Sequence, residues 1–257
     1  MMTAPFEQAP ALASVPGLKH AFFGRQGGVS SGEFAGNNMS LTVGDAEDNV
    51  GRNRAHAATQ LGFEPAALCL LRQVHSNTVV TVDAPTSPQP LVDADAMVTT
   101  ARGLALGIST ADCTPILLAD PVAGVIGAAH AGWRGAVDGI CGTTVEAMVA
   151  LGADPARIVA AIGPTIYPEN YEVGAQFERD FLALHPGGAH HFSVPAGGQP
   201  HFDLPGFVVE QLQQAGVGII ERAGACTYAH EDRYFSHRRA THQHTRTGRQ
   251  VAMIGWP

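Results

Sequence analysis

Three short stretches carry side chains able to bind a metal or attack a substrate: Arg72-Gln73-Val74-His75, Thr110-Ala111-Asp112-Cys113 and His130-Ala131-Gly132-Trp133-Arg134-Gly135. In each, an imidazole or thiol stands where an apolar run gives way to a loop. His75 follows ALCLLRQV, Cys113 follows LALGISTAD, and His130 ends GVIGAA. One thiolate and two imidazoles make a donor set suited to zinc. Three protein ligands would leave a fourth position for water or substrate, and water held there would ionise near neutral pH. The separations, 38 residues from His75 to Cys113 and 17 from Cys113 to His130, carry no short-range metal signature of their own. Read without context, Cys113 is equally a small buried hydrophobe. It also fits a metal-free amide hydrolase, as a nucleophile with His130 as its base.

The elements that must position these residues are short. LKHAFFG at 18–24 reads as a first strand, followed by a Gly-, Ser- and Asn-rich loop at 24–38. Asp45 is expected to cap a helix through about Gly62 that carries Arg52 and Arg54. ALCLL, NTVVTVD, ADAMVTT, LALGIST and PILLAD read as strands, and GVIGAAHAG at 124–132 as a buried one. One helix is expected over 135–151, a strand over 157–163, a helix from Glu172 to about Leu184, and a loop over 187–201. Asp203 and Pro205 mark a further helix that closes at Gly216, and strands near 217–223 and 250–256 finish the pattern. Strands cluster and no repeat or linker divides them. The expectation is one α+β domain over 1–257, with mixed β-sheets flanked by helices and a flexible segment at 1–17.

Bulk properties narrow the function. Of 257 residues, 45% are apolar and only 15% charged, which excludes a disordered chain. The net charge of −8 argues against a nucleic-acid partner, although local arginines can still take a small anion. No apolar run approaches a membrane span, and MMTAPFEQAPALASVPG has no signal-peptide pattern, so a cytoplasmic protein is expected. Cys69, Cys113, Cys141 and Cys226 form no CxxC pair; three of them read as buried reduced thiols.

The strings QVH, TADC, HAGWRG, IGPTIYPENYEVG, FSHRR and TGR occur in this order between about Gly24 and Trp256. Together they closely resemble the YfiH-like family, also called the laccase-domain or multicopper polyphenol oxidase family. The resemblance implies a compact α+β fold and one zinc bound by His75, Cys113 and His130. It implies phosphorolysis of purine nucleosides (adenosine, inosine, methylthioadenosine) with accompanying adenosine deamination. The deamination would proceed by attack of zinc-bound hydroxide on C6. Hydrolysis of a cell-wall precursor has also been attached to bacterial members. The polyphenol oxidase label calls for several coppers and paired histidines. This chain has twelve His, but its one HxH, His242-Gln243-His244, lies among polar residues and reads as a solvated turn. Zinc is therefore preferred to copper, and a catalyst to a non-catalytic binding protein, which would be expected to lack the triad.

Phosphorolysis needs an anion site, and the planar fork of arginine suits phosphate. Arg54, Arg134, Arg238 and Arg239 are the candidates. Arg134 precedes an expected helix, whose N-terminus could share the anion, or else it stacks on Trp133. Arg238 and Arg239 are adjacent, so on a strand only one would face the site. Asn38 and Ser40 could bond ribose hydroxyls, Asp112 could orient a ligating histidine, and Tyr167, Tyr171 and Glu172 could line the pocket. FSHRRATHQHTRTGR departs from the family pattern between the arginine pair and TGR.

Overall fold

The computed structural model describes residues 3–86 and 91–257. The strands are β1 (Phe6–Glu7), β2 (Lys19–Phe23), β3 (Leu68–Cys69), β4 (Val79–Thr81), β5 (Ala96–Thr99), β6 (Ala105–Thr110), β7 (Thr114–Asp120), β8 (Val125–Ala131), β9 (Val159–Ile162), β10 (Phe192–Ser193), β11 (His201–Phe202), β12 (Ile219–Arg222) and β13 (Gln250–Gly255). The helices are α1 (Pro10–Ala13), α2 (Glu47–Gln60), α3 (Trp133–Val137), α4 (Ile140–Ala150), α5 (Ala175–Leu184), α6 (Leu204–Gln214) and α7 (His237–His242).

Two mixed sheets carry the fold. One has the order β1-β2-β13-β6-β3, the other β12-β9-β7-β8-β5-β4. In the first only β3 and β6 run parallel; in the second β4–β5 and β9–β12 do. Period-two alternation explains how the sheets stack. Along β7, Ile116 and Leu118 join α4 and α6 residues such as Val145 and Val208, while Leu117 and Ala119 meet Ile108 and Ile254 of the other sheet. The outer face of the first sheet packs on α2 through Ala57, Ala58 and Met253. The layers therefore run α2, five-stranded sheet, six-stranded sheet, helices, and the α+β expectation of mixed sheets flanked by helices describes the fold.

Four local expectations differ from what is observed. Residues 3–17 are not a loose lead-in: β1 pairs with β2, and Ala9, Leu12 and Val15 are buried in the core between the sheets. Asp45 does not cap α2; its carboxylate accepts hydrogen bonds from Ser30 and Asn38 instead, and Ala46 stands at the cap position. The expected helix over 135–151 is broken into α3 and α4 by Gly139 at φ +90°, a left-handed conformation that stops a helix. The loop at 187–201 contains a 3-10 turn at Gly188–His191 and the first strand of the β10–β11 hairpin.

Candidate metal centre and active site

His130 lies on β8 with Ile126 and Ala128 on the same face, two residues apart. Cys113 sits in the turn where β6 of one sheet passes to β7 of the other. His75 belongs to the loop before β4, and Gln73 docks that loop on β6: its amide donates to Ser109 O (2.8 Å) and its oxygen accepts from Ser109 N (2.9 Å). Both approaches demand unusual backbone. His75 has φ +63° and Asp112, just before the cysteine, φ +86°. Such conformations cost about 1–3 kcal/mol each and persist only where surrounding bonds over-determine them. The Asp112 carboxylate supplies those bonds, accepting from Thr227 Oγ1 (2.6 Å), Ser236 Oγ (3.0 Å) and Arg238 N (2.6 Å).

The three donor atoms lie within 4.8 Å of one another. Cys113 Sγ is 3.8 Å from His75 Nε2, and the two imidazole rings meet edge to face at 4.8 Å. Zinc bonds of about 2.3 Å to sulfur and 2.0–2.1 Å to nitrogen at a tetrahedral angle put those atoms roughly 3.6 Å apart. The donor set and spacing therefore fit a tetrahedral divalent metal. Gly132 keeps the cradle open: a Cβ there would stand 2.6 Å from His75 Cδ2 and 3.2 Å from Cys113 Sγ.

The carboxylate that orients a histidine is Asp95, not Asp112. Asp95 Oδ1 accepts from His130 Nδ1 (2.8 Å) and His75 N (3.0 Å). Its Oδ2 accepts from Val74 N, Ser76 N and Ser76 Oγ. With Nδ1 held, the neutral His130 ring would carry its lone pair on Nε2, the tautomer a metal needs. Burial would raise Asp95, yet His130 and the Ser76 amide bring it down to about 2. Burial likewise pushes the Cys113 thiol up, but His130 and His75 outweigh it and bring it down to about 6, in the thiolate range. Burial disfavours protonated His130, while the Cys113 sulfur and Asp95 favour it and raise it to about 9.

His75, Cys113 and His130 stand in the wall of a cavity of about 550 Å³ that also holds Ser40, Arg54, Thr110, His237 and Arg249. Arg54 donates through Nε to Met39 O (2.8 Å), and its terminal nitrogens have no partner among the described residues. Arg249 O accepts from Met39 N (2.9 Å), so one residue ties both arginines to the rim. Burial lowers both guanidiniums, and the nearby Cys113 and Asp112 partly offset this at Arg249. The Thr110 hydroxyl is buried, with no hydrogen-bond partner among the described residues.

Other expected site residues lie elsewhere. Arg134 is exposed, with its guanidinium 5.1 Å from the centre of the Trp133 ring, outside the cavity lining. Asn38 is wholly buried and fully bonded, to Ser40, Asp45 and the Arg249 amide, with nothing left for a ribose. Arg238 and Arg239 are on α7, not a strand, so alternation does not separate them. Arg238 bonds Glu172 O and covers Tyr171; Arg239 bonds Tyr228 O and pairs with Glu231. Tyr167 bonds Gly224 O and also lies off the cavity. His242 to His244 is an exposed stretch, as its polar neighbours suggest. Asp95, His237 and Arg249 escaped the sequence reading. Arg249 was visible as the end of TGR, and Asp95 as an acid leading an apolar strand.

A family model described as multi-copper polyphenol oxidoreductase laccase matches residues 19–257. A purine nucleoside phosphorylase of Deinococcus radiodurans is 46% identical over 100% of this chain and 96% of its own length. The purine nucleoside phosphorylase ORF3 of Streptomyces griseus is 45% identical over 88% of this chain and 92% of its own. Among solved structures, YlmD from Geobacillus stearothermophilus superposes with a TM-score of 0.87 at 34% identity, covering 96% of this chain and 94% of that one. A Neisseria meningitidis protein, NMB0706, gives 0.86 at 31% identity over 99% of both chains. With the fold, the His75, Cys113 and His130 group, and these matches in agreement, the chain belongs to the laccase-like YfiH family.

Proposed function

We propose that this protein is a purine nucleoside phosphorylase that works with one zinc ion held by His75, Cys113 and His130. The observation that carries the reading is the sharing of one cavity by these three donors and by Arg54 and Arg249. Relatives named purine nucleoside phosphorylase at 46% and 45% identity support the substrate class, a nucleoside and phosphate. A multicopper oxidase would need more coordinated histidines than the two three-residue donor groups among the described residues provide.

In phosphorolysis a phosphate oxygen bonds to C1′ of the ribose as the C1′–N9 bond breaks. The bonding pair leaves with the purine, which takes up a proton. Arg54 and Arg249 offer fixed positive charge to the phosphate in a partly desolvated site, where such bonds are strong. Ser40, whose hydroxyl is shared with Thr42, stands on the same rim and can meet a sugar hydroxyl. Zinc, when bound, supplies a Lewis acid that polarises a phosphate or substrate oxygen. The same centre is proposed to serve adenosine deamination, in which water adds its oxygen at C6 and ammonia leaves.

One observation favours a second reading. A thiol brought down to about 6 beside two imidazoles also suits a Cys113 nucleophile in a metal-free amide hydrolase. Adenosine or inosine should release free base and ribose 1-phosphate only when phosphate is present. Equal base release without phosphate would overturn phosphorolysis, and full activity of metal-stripped protein on an amide would favour the hydrolase.

A further inference from the structure

A second group of donors lies outside the cavity, on the helical layer. His190 and His191 end the 3-10 turn that leads into β10, and Glu210 lies on α6. His190 Nε2 and His191 Nε2 both stand 2.8 Å from Glu210 Oε2, and all three donors fall within 4.8 Å of one another. The His190 side chain is 59% exposed, that of His191 6% and that of Glu210 35%, so the group has an open side and a buried side. The buried side is aromatic, with Phe207 packed edge-on against His191 at 5.3 Å.

The hydrogen positions at His190 cannot be those of a neutral ring bonded at both ends. Its Nδ1 is 3.0 Å from Gly187 O, an atom that only accepts, so Nδ1 carries the hydrogen. In the neutral ring Nε2 then holds a lone pair, aimed at a carboxylate oxygen that also has only lone pairs. Two acceptors 2.8 Å apart repel unless a positive species lies between them. A bound cation coordinated by both atoms removes that repulsion.

We propose that His190, His191 and Glu210 form a second divalent-metal site, selective for a borderline ion such as zinc, which clamps the turn before the β10–β11 hairpin to α6. Two imidazoles and one carboxylate are an established zinc donor set. Two of the three ligands, His190 and Glu210, have the supports that metal ligands require. Gly187 O holds Nδ1 of His190, and the Gln214 amide donates to Glu210 Oε1 (3.0 Å), so Oε2 is the oxygen that faces the two imidazoles. A tetrahedral ion places nitrogen and oxygen donors roughly 3.4 Å apart, so the group must open by about half an ångström. The exposed side chain of His190 can make that movement. Solvent on the open side supplies the fourth ligand.

The test is a zinc titration of chelator-stripped protein, with bound metal counted by elemental analysis after desalting. Wild type should take up two ions per chain, and His190→Ala and Glu210→Gln one each. Cys113→Ala should keep one, and Cys113→Ala combined with His190→Ala none. In Cys113→Ala, free zinc at about a hundred times its Kd should raise Tm by roughly 5–10 °C, and that rise should vanish with His190→Ala. An unchanged ion count in both His190→Ala and Glu210→Gln would overturn the site and leave His190 as a hydrogen-bonded partner of Glu210. Failure at the first site reads differently: Cys113→Ala would then bind as many ions as wild type, while His190→Ala would still lose one.

Discussion

Replacing Asp95 by asparagine changes one oxygen into a nitrogen and leaves the shape intact, so its effect isolates charge and hydrogen-bond polarity. Asp95 is wholly buried and accepts from five donors: His130 Nδ1, His75 N, Val74 N, Ser76 N and Ser76 Oγ. An amide can accept on only one side. If its nitrogen takes the Oδ2 position, it faces the Val74 and Ser76 amides donor to donor. If it takes the Oδ1 position, it donates to His130 Nδ1 and forces the hydrogen onto Nε2, the atom a metal needs. Either placement weakens the centre. Loss of a carboxylate that fixes a ligating histidine lowers metal affinity about 10- to 100-fold, or about 1.4–2.8 kcal/mol. The metal-free fold should also lose about 2–3 kcal/mol, because buried donors are left without partners, which corresponds to roughly 5–10 °C in Tm. Competition for zinc against a chromophoric chelator measures the first quantity, and thermal unfolding in excess chelator the second. Activity in saturating zinc should recover in part. An Asp95→Asn protein that holds zinc within twofold of wild type would refute the argument that Asp95 sets the His130 tautomer.

Further outcomes follow from the same geometry. Arg249→Ala and Arg54→Ala should each raise the phosphate KM by about 10- to 100-fold, the worth of a charged hydrogen bond, while Arg134→Ala should leave it within twofold; steady-state kinetics in varied phosphate checks this, and equal effects at Arg134 would move the anion site. Gly132→Ala should abolish zinc retention while the far-ultraviolet circular dichroism stays native, since the added methyl would stand 2.6 Å from the His75 ring. Burial raises Asp120, but Arg157 and the amides of Asp154, Ala123 and Val122 outweigh it and bring it down to about 2. A carboxylate depressed in the fold adds stability that is full above its unfolded value and is lost as pH falls from about 4 to about 2. With Arg157 partly exposed, the worth is about 2 kcal/mol, so Asp120→Asn should lower stability by that amount at pH 7 and flatten the acid limb of a denaturant titration. Phosphorolysis and deamination should fall together across His75→Ala, Cys113→Ala and His130→Ala; deamination that persists alone would point to another catalyst in the preparation.

The parts of this fold legible in the sequence were those with local causes. Strands such as PILLAD and GVIGAAHAG announce themselves as short apolar runs, and α6 by Asp203 and Pro205, whose side-chain cap to the Gly206 amide is present at 2.9 Å. What was not legible depends on partners far along the chain. Asp45 looks like a cap until Ser30 and Asn38 claim its carboxylate. Asn38 looks like a polar loop residue until the Arg249 amide, 211 residues away, uses its oxygen. Arg238 and Arg239 are an exception, since the cap that begins α7 is local: the Ser236 hydroxyl accepts from Arg239 N.

The donor triad shows why spacing carried so little. Its three ligands are delivered by three different devices: a strand face for His130, a sheet-to-sheet turn for Cys113, and a loop docked sideways by Gln73 for His75. No helical or strand period links such positions, so the separations of 38 and 17 residues follow from the lengths of connections and not from the chemistry. The constraint shows instead in the backbone. Among the described residues, two of the three non-glycine residues with positive φ, His75 and Asp112, are a proposed ligand and a ligand's neighbour. Asp95 immediately precedes β5 and His130 is the penultimate residue of its neighbour β8, where His130 N also donates to Asp95 O at 2.7 Å. The pairing of these two strands thus fixes the relation between ligand and supporting carboxylate before any metal arrives. His75 is held to the same carboxylate through its own amide. One buried acid therefore preorganises two ligands on separate elements, which places the specificity of the centre in the register of two strands rather than in any contiguous motif.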